Sequence, residues 1–237
     1  MSQPARRLDA TDLQDLRAML ARQFPDALPI AHRTRAQVAT GVGSLDGILP
    51  GGGFPRAKMS AWAPQGGVTA ILRAACQAVT RDGERAAWVD GDGHVAGAQW
   101  EEGPLLVRPK TRRHALRAAE ELLRCGGFAL LVVAGVEPQG TETVRLTRAA
   151  REGGSALVVV TPHASMSALR IESRLLPHSW RWRRTPFGDP AEARDVRIRV
   201  RARALGWNAS TELAIPVTTH ELRLSLDAEL ADRKGMG

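Results

Sequence analysis

The sequence predicts an α/β domain with a mostly parallel central sheet and an antiparallel extension toward its C-terminal end. Three observations predict this class. From residue 39 onward, short apolar runs alternate with segments of helical period, which is typical of strands joined by crossover helices. The runs at 128–134 and 156–160 are continuously apolar, as expected for strands buried on both faces. Residues 194–225 instead alternate apolar and polar residues, as antiparallel strands do.

Length and composition fit one sizeable domain with short extensions. The chain has 237 residues, of which 43% are apolar, so a substantial core can form. Aromatic residues make up only 4% of the chain, so most of the core volume must come from Leu, Val and Ala. Nearly all of the 33 basic residues are arginine, and the formal net charge of +8 favours an acidic partner, either nucleic acid or an acidic protein face.

Helix and strand signals follow one another in order between residues 57 and 160. The helix at 111–124 has Leu116, Ala119 and Leu123 on one face, and two glycines end it. Right-handed crossovers are expected between the parallel strands. In chain order the predicted elements are a strand at 57–62, a helix at 68–79, strands at 86–89 and 105–107, a helix at 111–124, a strand at 128–134, a helix at 141–151 and a strand at 156–160.

The N-terminal piece predicts one short amphipathic helix. Thr11 and Gln14 have capping-box spacing, and Leu13, Leu16 and Leu20 fall on one face. A helix this short is marginal alone, so it must dock either on its own domain or on a partner protein. The chain therefore divides into an N-terminal helix and linker at 1–38, a core at 39–220, and a C-terminal strand and tail at 221–237.

Cysteine and histidine usage favours neither metal nor redox chemistry. Cys76 and Cys125 each sit in an apolar, helix-like context, so two buried thiols are expected. The six histidines have no paired ligand spacing, and no catalytic triad pattern is visible. No stretch approaches the roughly 18 apolar residues of a membrane span, and no apolar signal core is present, so we expect a cytoplasmic protein without membrane contact.

Residues 40–55 carry a motif that resembles the opening of the RecA recombinase core. In that family a Thr-Gly-x-x-x-Leu-Asp run and a Gly-Gly-x-Pro turn precede the strand that leads into the phosphate-binding loop. Later elements match in order over residues 39–220, so the resemblance implies a RecA-like three-layer fold. The matching residues are Thr40-Gly41-Val42-Gly43-Ser44-Leu45-Asp46, then Leu49, Gly51-Gly52-Gly53 and Pro55.

The loop that should grip phosphate departs from the family pattern. A phosphate-binding loop reads G-x-x-x-x-G-K-[ST], in which backbone amides cradle phosphates, the lysine neutralises them and the hydroxyl binds magnesium. Here Gly66 and Gly67 are followed by Val68 at the lysine position and by Thr69 at the hydroxyl position. Aligned on Ala63-Pro64, the loop is also one residue short, which makes it too tight to wrap a triphosphate in the usual way.

The second half of the nucleotide site departs from the pattern independently. The family places a magnesium-shell Asp at the end of the central apolar strand, where this chain has Ala134. Asp90 and Asp92 have the spacing of the family's Asp and water-activating Glu, but Asp92 is one methylene shorter. A polar Asn-Gln pair is replaced by Thr161-Pro162. We therefore expect no ATP hydrolysis and no cofactor; the alternative is a divergent ATPase whose cation comes from Lys58 or Arg73.

The length, the opening motif and the degenerate loop together resemble the ImuA family. That family belongs to an SOS-induced mutagenesis cassette, with ImuB and an error-prone polymerase. The resemblance implies an accessory role in translesion synthesis and DNA repair, through binding RecA, an ImuB-like polymerase paralogue, or both. A SulA-like inhibitor of cell division, also a RecA-like domain without a phosphate loop, is the alternative. The oligomeric state stays open.

An arginine row near the C-terminal end is the strongest binding signal. Alternation places the four arginines on one strand face, with Asp195 beside them. Guanidinium groups grip phosphates and indoles stack on unpaired bases, so this combination predicts binding of single-stranded DNA or an acidic partner. A solvated face neutralised by Glu212 or Glu221 is the alternative. The candidate residues are Arg197, Arg199, Arg201 and Arg203, with Arg181, Arg183, Arg184, Trp180 and Trp182 earlier in the chain.

Overall fold

A computed structural model of the chain describes residues 36–95, 103–163 and 166–216. The predicted N-terminal helix with Leu13, Leu16 and Leu20, and the tail from 221, lie outside these residues. The helices are α1 (Gly43–Asp46), α2 (Val68–Arg81), α3 (Arg112–Arg124) and α4 (Thr141–Gly153). The strands are β1 (Gln37–Val38), β2 (Phe54–Pro55), β3 (Met59–Trp62), β4 (Ala86–Asp90), β5 (Leu105–Val107), β6 (Leu130–Ala134), β7 (Ala156–Val160), β8 (Leu169–Leu175), β9 (Arg181–Arg184), β10 (Pro190–Ala204) and β11 (Trp207–Pro216).

A nine-stranded sheet organises the described residues. Its order is β11-β10-β8-β3-β7-β6-β4-β5, with β9 paired to β10 outside this path. In this order, every neighbouring pair between β8 and β5 is parallel. All pairs made by β10 are antiparallel. A small antiparallel pair, β1 and β2, stands apart from this sheet. The predicted α/β class, with a mostly parallel sheet and an antiparallel extension, is confirmed.

Two apolar layers cover the sheet, and they differ in extent. On the face of α1 and α2, a continuous core runs from Trp88 of β4 to Leu213 of β11. On the face of α3 and α4, the core runs from Val89 of β4 only as far as Met59 of β3. No described residue of β8, β10 or β11 belongs to that second core, so no helix in the described ranges covers that face of the antiparallel half.

Most predicted elements between residues 57 and 160 are present with small shifts. The strands at 105–107 and 156–160 have the predicted bounds, and Thr111 caps α3 by accepting a hydrogen bond from the His114 amide at 3.3 Å. The strand predicted at 57–62 is β3, which begins only at Met59 because Ala57 is in a turn with φ +60°. Strands β8 and β9 were not predicted individually. None of the described helices is long and apolar enough to cross a membrane.

The two cysteines differ in their surroundings. Cys76 is fully buried in α2, and this burial raises the pKa of its thiol to about 12. Cys125 is exposed at the C-terminal cap of α3, where its thiol contacts the Leu122 carbonyl at 3.1 Å. The prediction of two buried thiols is therefore wrong for Cys125, because the apolar residues around it point their own side chains inward while the cap residue faces solvent.

Candidate phosphate loop and cationic sheet face

The connection from β3 to α2 is a tight turn held by its own backbone. The Ala63 amide donates to the Ile171 carbonyl of β8 at 2.9 Å, and the Gln65 amide donates to the Ala63 carbonyl at 2.8 Å. Val68, at the position of the family's lysine, is only 5% exposed and packs in the core under α1 and α2. Thr69 is exposed on the first turn of α2. At the position of the motif's lysine, this turn therefore has the buried isopropyl side chain of Val68.

Both glycines of this turn are packed against apolar side chains. Gly67 has φ +89°, and a Cβ atom at this position would collide with the Cδ1 atom of Ile198. A Cβ atom at Gly66 would lie 2.6 Å from the Cγ atom of Leu175. The two glycines are thus explained by close approach of β8 and β10, since only a residue without Cβ leaves room for Leu175 and Ile198.

The two carboxylates at and just after the end of β4 differ in their surroundings. Asp90 is 2% exposed and accepts hydrogen bonds from the amides of His94 at 3.2 Å and Val95 at 2.9 Å. Arg108 lies 3.6 Å from the same carboxylate. Asp92 is exposed, 3.8 Å from His94, and the Ala134 carbonyl accepts from the Gly91 amide at 2.8 Å. Asp90 therefore organises the loop after β4.

The arginine row of β10 is exposed along its whole length. The alternating residues Ile198, Val200 and Ala202 are buried in the core under α2. The opposite side chains face the part of the sheet that carries no helix, so the predicted one-sided row is confirmed. Its members are Arg197, Arg199, Arg201 and Arg203.

Neighbouring strands add charge of both signs to this face. On β11, Glu212 is directly opposite Arg199 and accepts a hydrogen bond from its Nη2 atom at 2.7 Å, as the sequence allowed. On β8, the register places Arg174 opposite Arg199 and Glu172 opposite Arg201. Exposed arginines of β8 were missed, although the alternation of 169–175 is the signal that could have found them. We call the following set the cationic face: Arg170, Glu172, Arg174, Arg197, Arg199, Arg201, Arg203 and Glu212.

The cationic face keeps most of its guanidinium groups without a carboxylate partner. Among the described residues, Arg170, Arg174, Arg201 and Arg203 make no hydrogen bond or ion pair through their side chains. Arg203 is directly opposite Arg170, and like charges in directly opposed pairs are unfavourable. The two also border a cleft of about 480 Å³ that reaches Thr161. The face therefore carries more positive charge than its own carboxylates neutralise.

Asp195 neutralises β9 rather than the row. It is 6% exposed and accepts a hydrogen bond from the Nε atom of Arg181 at 2.6 Å. That bond, and the charges of Arg181, Arg194 and Arg197, hold the pKa of the Asp195 carboxyl below its ordinary value. The predicted position of Asp195 beside the row is consistent with the influence of Arg197, but its hydrogen bond goes to Arg181.

The two tryptophans form a pair on the other side of β9. The ring centroids of Trp180 and Trp182 are 6.4 Å apart and the rings are tilted by 33°. Trp182 is opposite Ala193, whereas Arg181 is opposite Asp195, with an irregularity in the register between them. Alternation along the strand therefore separates the indoles from Arg181. The alternation places Trp180, Trp182 and Arg184 on one side of the strand and Arg181 and Arg183 on the other.

Comparison with models of known protein families found no match, and comparison with curated proteins found none. In the part of the chain that the structure describes, no group of three His, Cys, Asp or Glu side chains is arranged to hold a metal ion.

Proposed function

We propose that this chain is a non-catalytic, RecA-like accessory protein of SOS-induced translesion synthesis and DNA repair, which binds single-stranded DNA through its cationic face. The observation that carries this proposal is a sheet face that no described helix covers, on which six arginines outnumber two glutamates. A face of this kind has no packing role in the described chain, so its composition needs another explanation.

Spacing supports a linear polyanion as the partner. Alternate residues of a strand lie about 7 Å apart, so the row on β10 offers a regular line of guanidinium groups. Each group can donate two hydrogen bonds to one phosphate. Neutralising phosphates releases bound counterions, which makes such binding strongly dependent on salt.

The turn after β3 supports the non-catalytic part of the proposal. Leu175 and Ile198 pack on the glycines, Val68 is buried, and Asp90 is engaged with the loop that follows it. Titration calorimetry with ATP and magnesium should detect no binding, with a RecA recombinase as the positive control. Saturable, magnesium-dependent binding would favour the divergent ATPase instead.

The partners proposed are RecA and an ImuB-like polymerase paralogue, on the strength of the motif at residues 40–55. RecA filaments hold ATP between subunits, so a subunit without a phosphate grip could join or cap a filament without cycling it. Adding the protein to RecA on single-stranded DNA should lower strand exchange or ATP turnover. If both are unchanged at equimolar ratio, this mechanism is wrong.

Charge reversal tests the DNA-binding surface. Replacing Arg197, Arg199 and Arg201 by Glu should abolish retardation of single-stranded DNA at low salt. A matched variant that reverses Arg113, Arg117 and Arg151 changes the net charge equally on exposed positions of α3 and α4. This control should retain most of the affinity, because the reversed groups lie away from the cationic face. Equal loss in both variants would mean that net charge alone, rather than this face, attracts the strand.

A further inference from the structure

The end of β10 leaves the sheet as a two-stranded ribbon. Residues 195–204 pair with β11, and residues 198–203 pair with β8. Among the described strands, residues 190–194 pair with β9 alone. We call residues 180–194 the ribbon. Because β8 runs parallel to β3 and continues past its C-terminal end, the ribbon projects from the carboxyl edge of the parallel strands, which is where open α/β sheets bind ligands.

A well-defined turn holds the tip of the ribbon. The Thr185 amide donates to the Asp189 carbonyl at 2.8 Å, and the Gly188 amide donates back to the Thr185 carbonyl at 2.9 Å. Gly188 has φ +93°, and Arg184 donates to its carbonyl at 3.1 Å. At the centre of this turn Phe187 is 92% exposed. The phenyl ring is thus presented to solvent by a fixed backbone.

All exposed aromatic side chains of the described residues lie on this ribbon. Trp180 is 44% exposed, Trp182 is 52% exposed and Phe187 is 92% exposed. Elsewhere in the described residues, the large aromatic side chains of Trp62 and Trp88 are buried in the core. In a chain with so few aromatics, three exposed rings on one ribbon mark a contact surface, since leaving each one in water forgoes its burial.

We infer that the ribbon is an arm that stacks on unpaired bases of single-stranded nucleic acid, with Phe187 as the leading ring. This inference rests on the proposed function and assigns a second subsite to it. Aromatic rings stack on the face of any base, and the guanidinium groups of the cationic face that have no carboxylate partner can hold phosphates of the same strand. Arg181 and the two indoles lie on opposite sides of β9, so the indoles are clear of the ion pair between Arg181 and Asp195.

The two subsites predict a preference for single strands. The cationic face recognises phosphates, which duplex and single strands share. The ribbon recognises base faces, which are covered by their neighbours in a duplex. A strand that reaches both subsites gains from both, and a duplex gains only from the first.

Fluorescence anisotropy with two labelled strands of equal length tests the inference. One strand is oligothymidylate and the other is an abasic strand, which has the same phosphates but no bases. The wild-type protein should bind oligothymidylate at least about 10-fold more tightly, since one stacked base contributes roughly a factor of 5 to 150. Phe187→Ala and the double variant Trp180→Ala/Trp182→Ala should each lower the affinity for oligothymidylate toward that for the abasic strand.

Leu205→Ala is the matched control, because Leu205 is also a fully exposed apolar residue in a turn at the other end of β10. It should bind both strands as the wild type does. If the wild type binds both strands equally, or if Phe187→Ala keeps the full preference, the ribbon is no base-stacking arm, and an apolar pocket of a partner protein becomes its target. If the wild type binds neither strand, both the proposed binding of single-stranded DNA and this inference are wrong.

Discussion

The parallel and antiparallel halves of the sheet differ in how much of their surface the helices cover. In the parallel half, α2 covers one face and α3 with α4 covers the other, so β4, β6 and β7 are buried on both sides. In the antiparallel half, the helices that the structure describes cover only the α2 side, and every second residue of β10 from Arg197 to Arg203 is exposed. The first half is constrained by packing, whereas the second is free to carry charge.

The antiparallel half also determines how the turn between β3 and α2 is packed. The antiparallel half meets the parallel half at the turn after β3, and there its apolar side packs against the glycines. Leu175 and Ile198 belong to the same two strands whose other side carries the arginines. The strands that form the cationic face therefore also occupy the space beside the loop.

The largest effect is expected in the doubly covered half. Leu131 is fully buried between β4 and β7 on the side of α3 and α4. Leu131→Ala should lower the free energy of unfolding by about 2 to 5 kcal/mol, because it removes buried methyl groups and leaves a cavity. Urea unfolding measures the loss. Arg201→Ala, on the exposed face, should change stability by less than about 0.5 kcal/mol; similar losses would contradict the contrast between the halves.

The junction between the halves is expected to show coupling. Gly67→Ala should cost about 2 to 3 kcal/mol, since alanine is strained at positive φ and its Cβ atom collides with Ile198. Ile198→Val removes the colliding Cδ1 atom, so the double variant should be more stable than the two single losses predict. A double-mutant cycle by urea unfolding should give a coupling of about 0.5 to 3 kcal/mol. Strict additivity would mean that the glycine serves something other than packing.

A smaller effect is expected at the end of β4. Asp90→Asn weakens two amide hydrogen bonds and removes the charge beside Arg108. We expect a loss of about 1 to 3 kcal/mol by thermal or urea unfolding, because bonds to a charged acceptor are the stronger ones. Asp92→Asn, at an exposed position, is the matched control and should be nearly neutral. Equal behaviour of the two variants would contradict a structural role for Asp90.

The sequence predicted what local patterns determine. Continuous apolar runs identified β6 and β7, because a strand buried on both faces needs apolar residues at every position. Alternation identified the exposed arginines of β10, because a strand buried on one face needs apolar residues only at every second position. Strand β8 also alternates and could have been found by the same rule. Strand β9 could not, since its four residues are all exposed and have no apolar period.

The packed state of the glycine turn could not be predicted from sequence. Gly66 and Gly67 match a phosphate-binding motif as well as they match close packing, and the choice depends on Leu175 and Ile198, which are distant in the chain. The side of β9 on which the tryptophans lie was also hidden, because it depends on a register irregularity between Ala193 and Asp195. Long-range packing and bulges leave no local signal.

The smallest effect concerns the base of the ribbon and depends on pH. The pKa of Asp195 is lowered by Arg181, so this ion pair stabilises the fold above the pH at which the carboxyl titrates in the unfolded chain. The contribution is lost as the pH falls through the lowered pKa. Arg181→Gln should raise the pKa of Asp195 toward its ordinary value, which carboxyl chemical shifts can follow. Its stability should fall below that of the wild type at about pH 7, and the two stabilities should converge at about pH 2.

Arg184→Gln is the control for this prediction, because it loses a hydrogen bond to a turn carbonyl instead of a carboxylate. Its stability should differ from that of the wild type equally at both pH values. If Arg181→Gln also shows the same difference at both pH values, the ion pair contributes nothing through charge, and the ribbon is held to the sheet by its backbone hydrogen bonds alone.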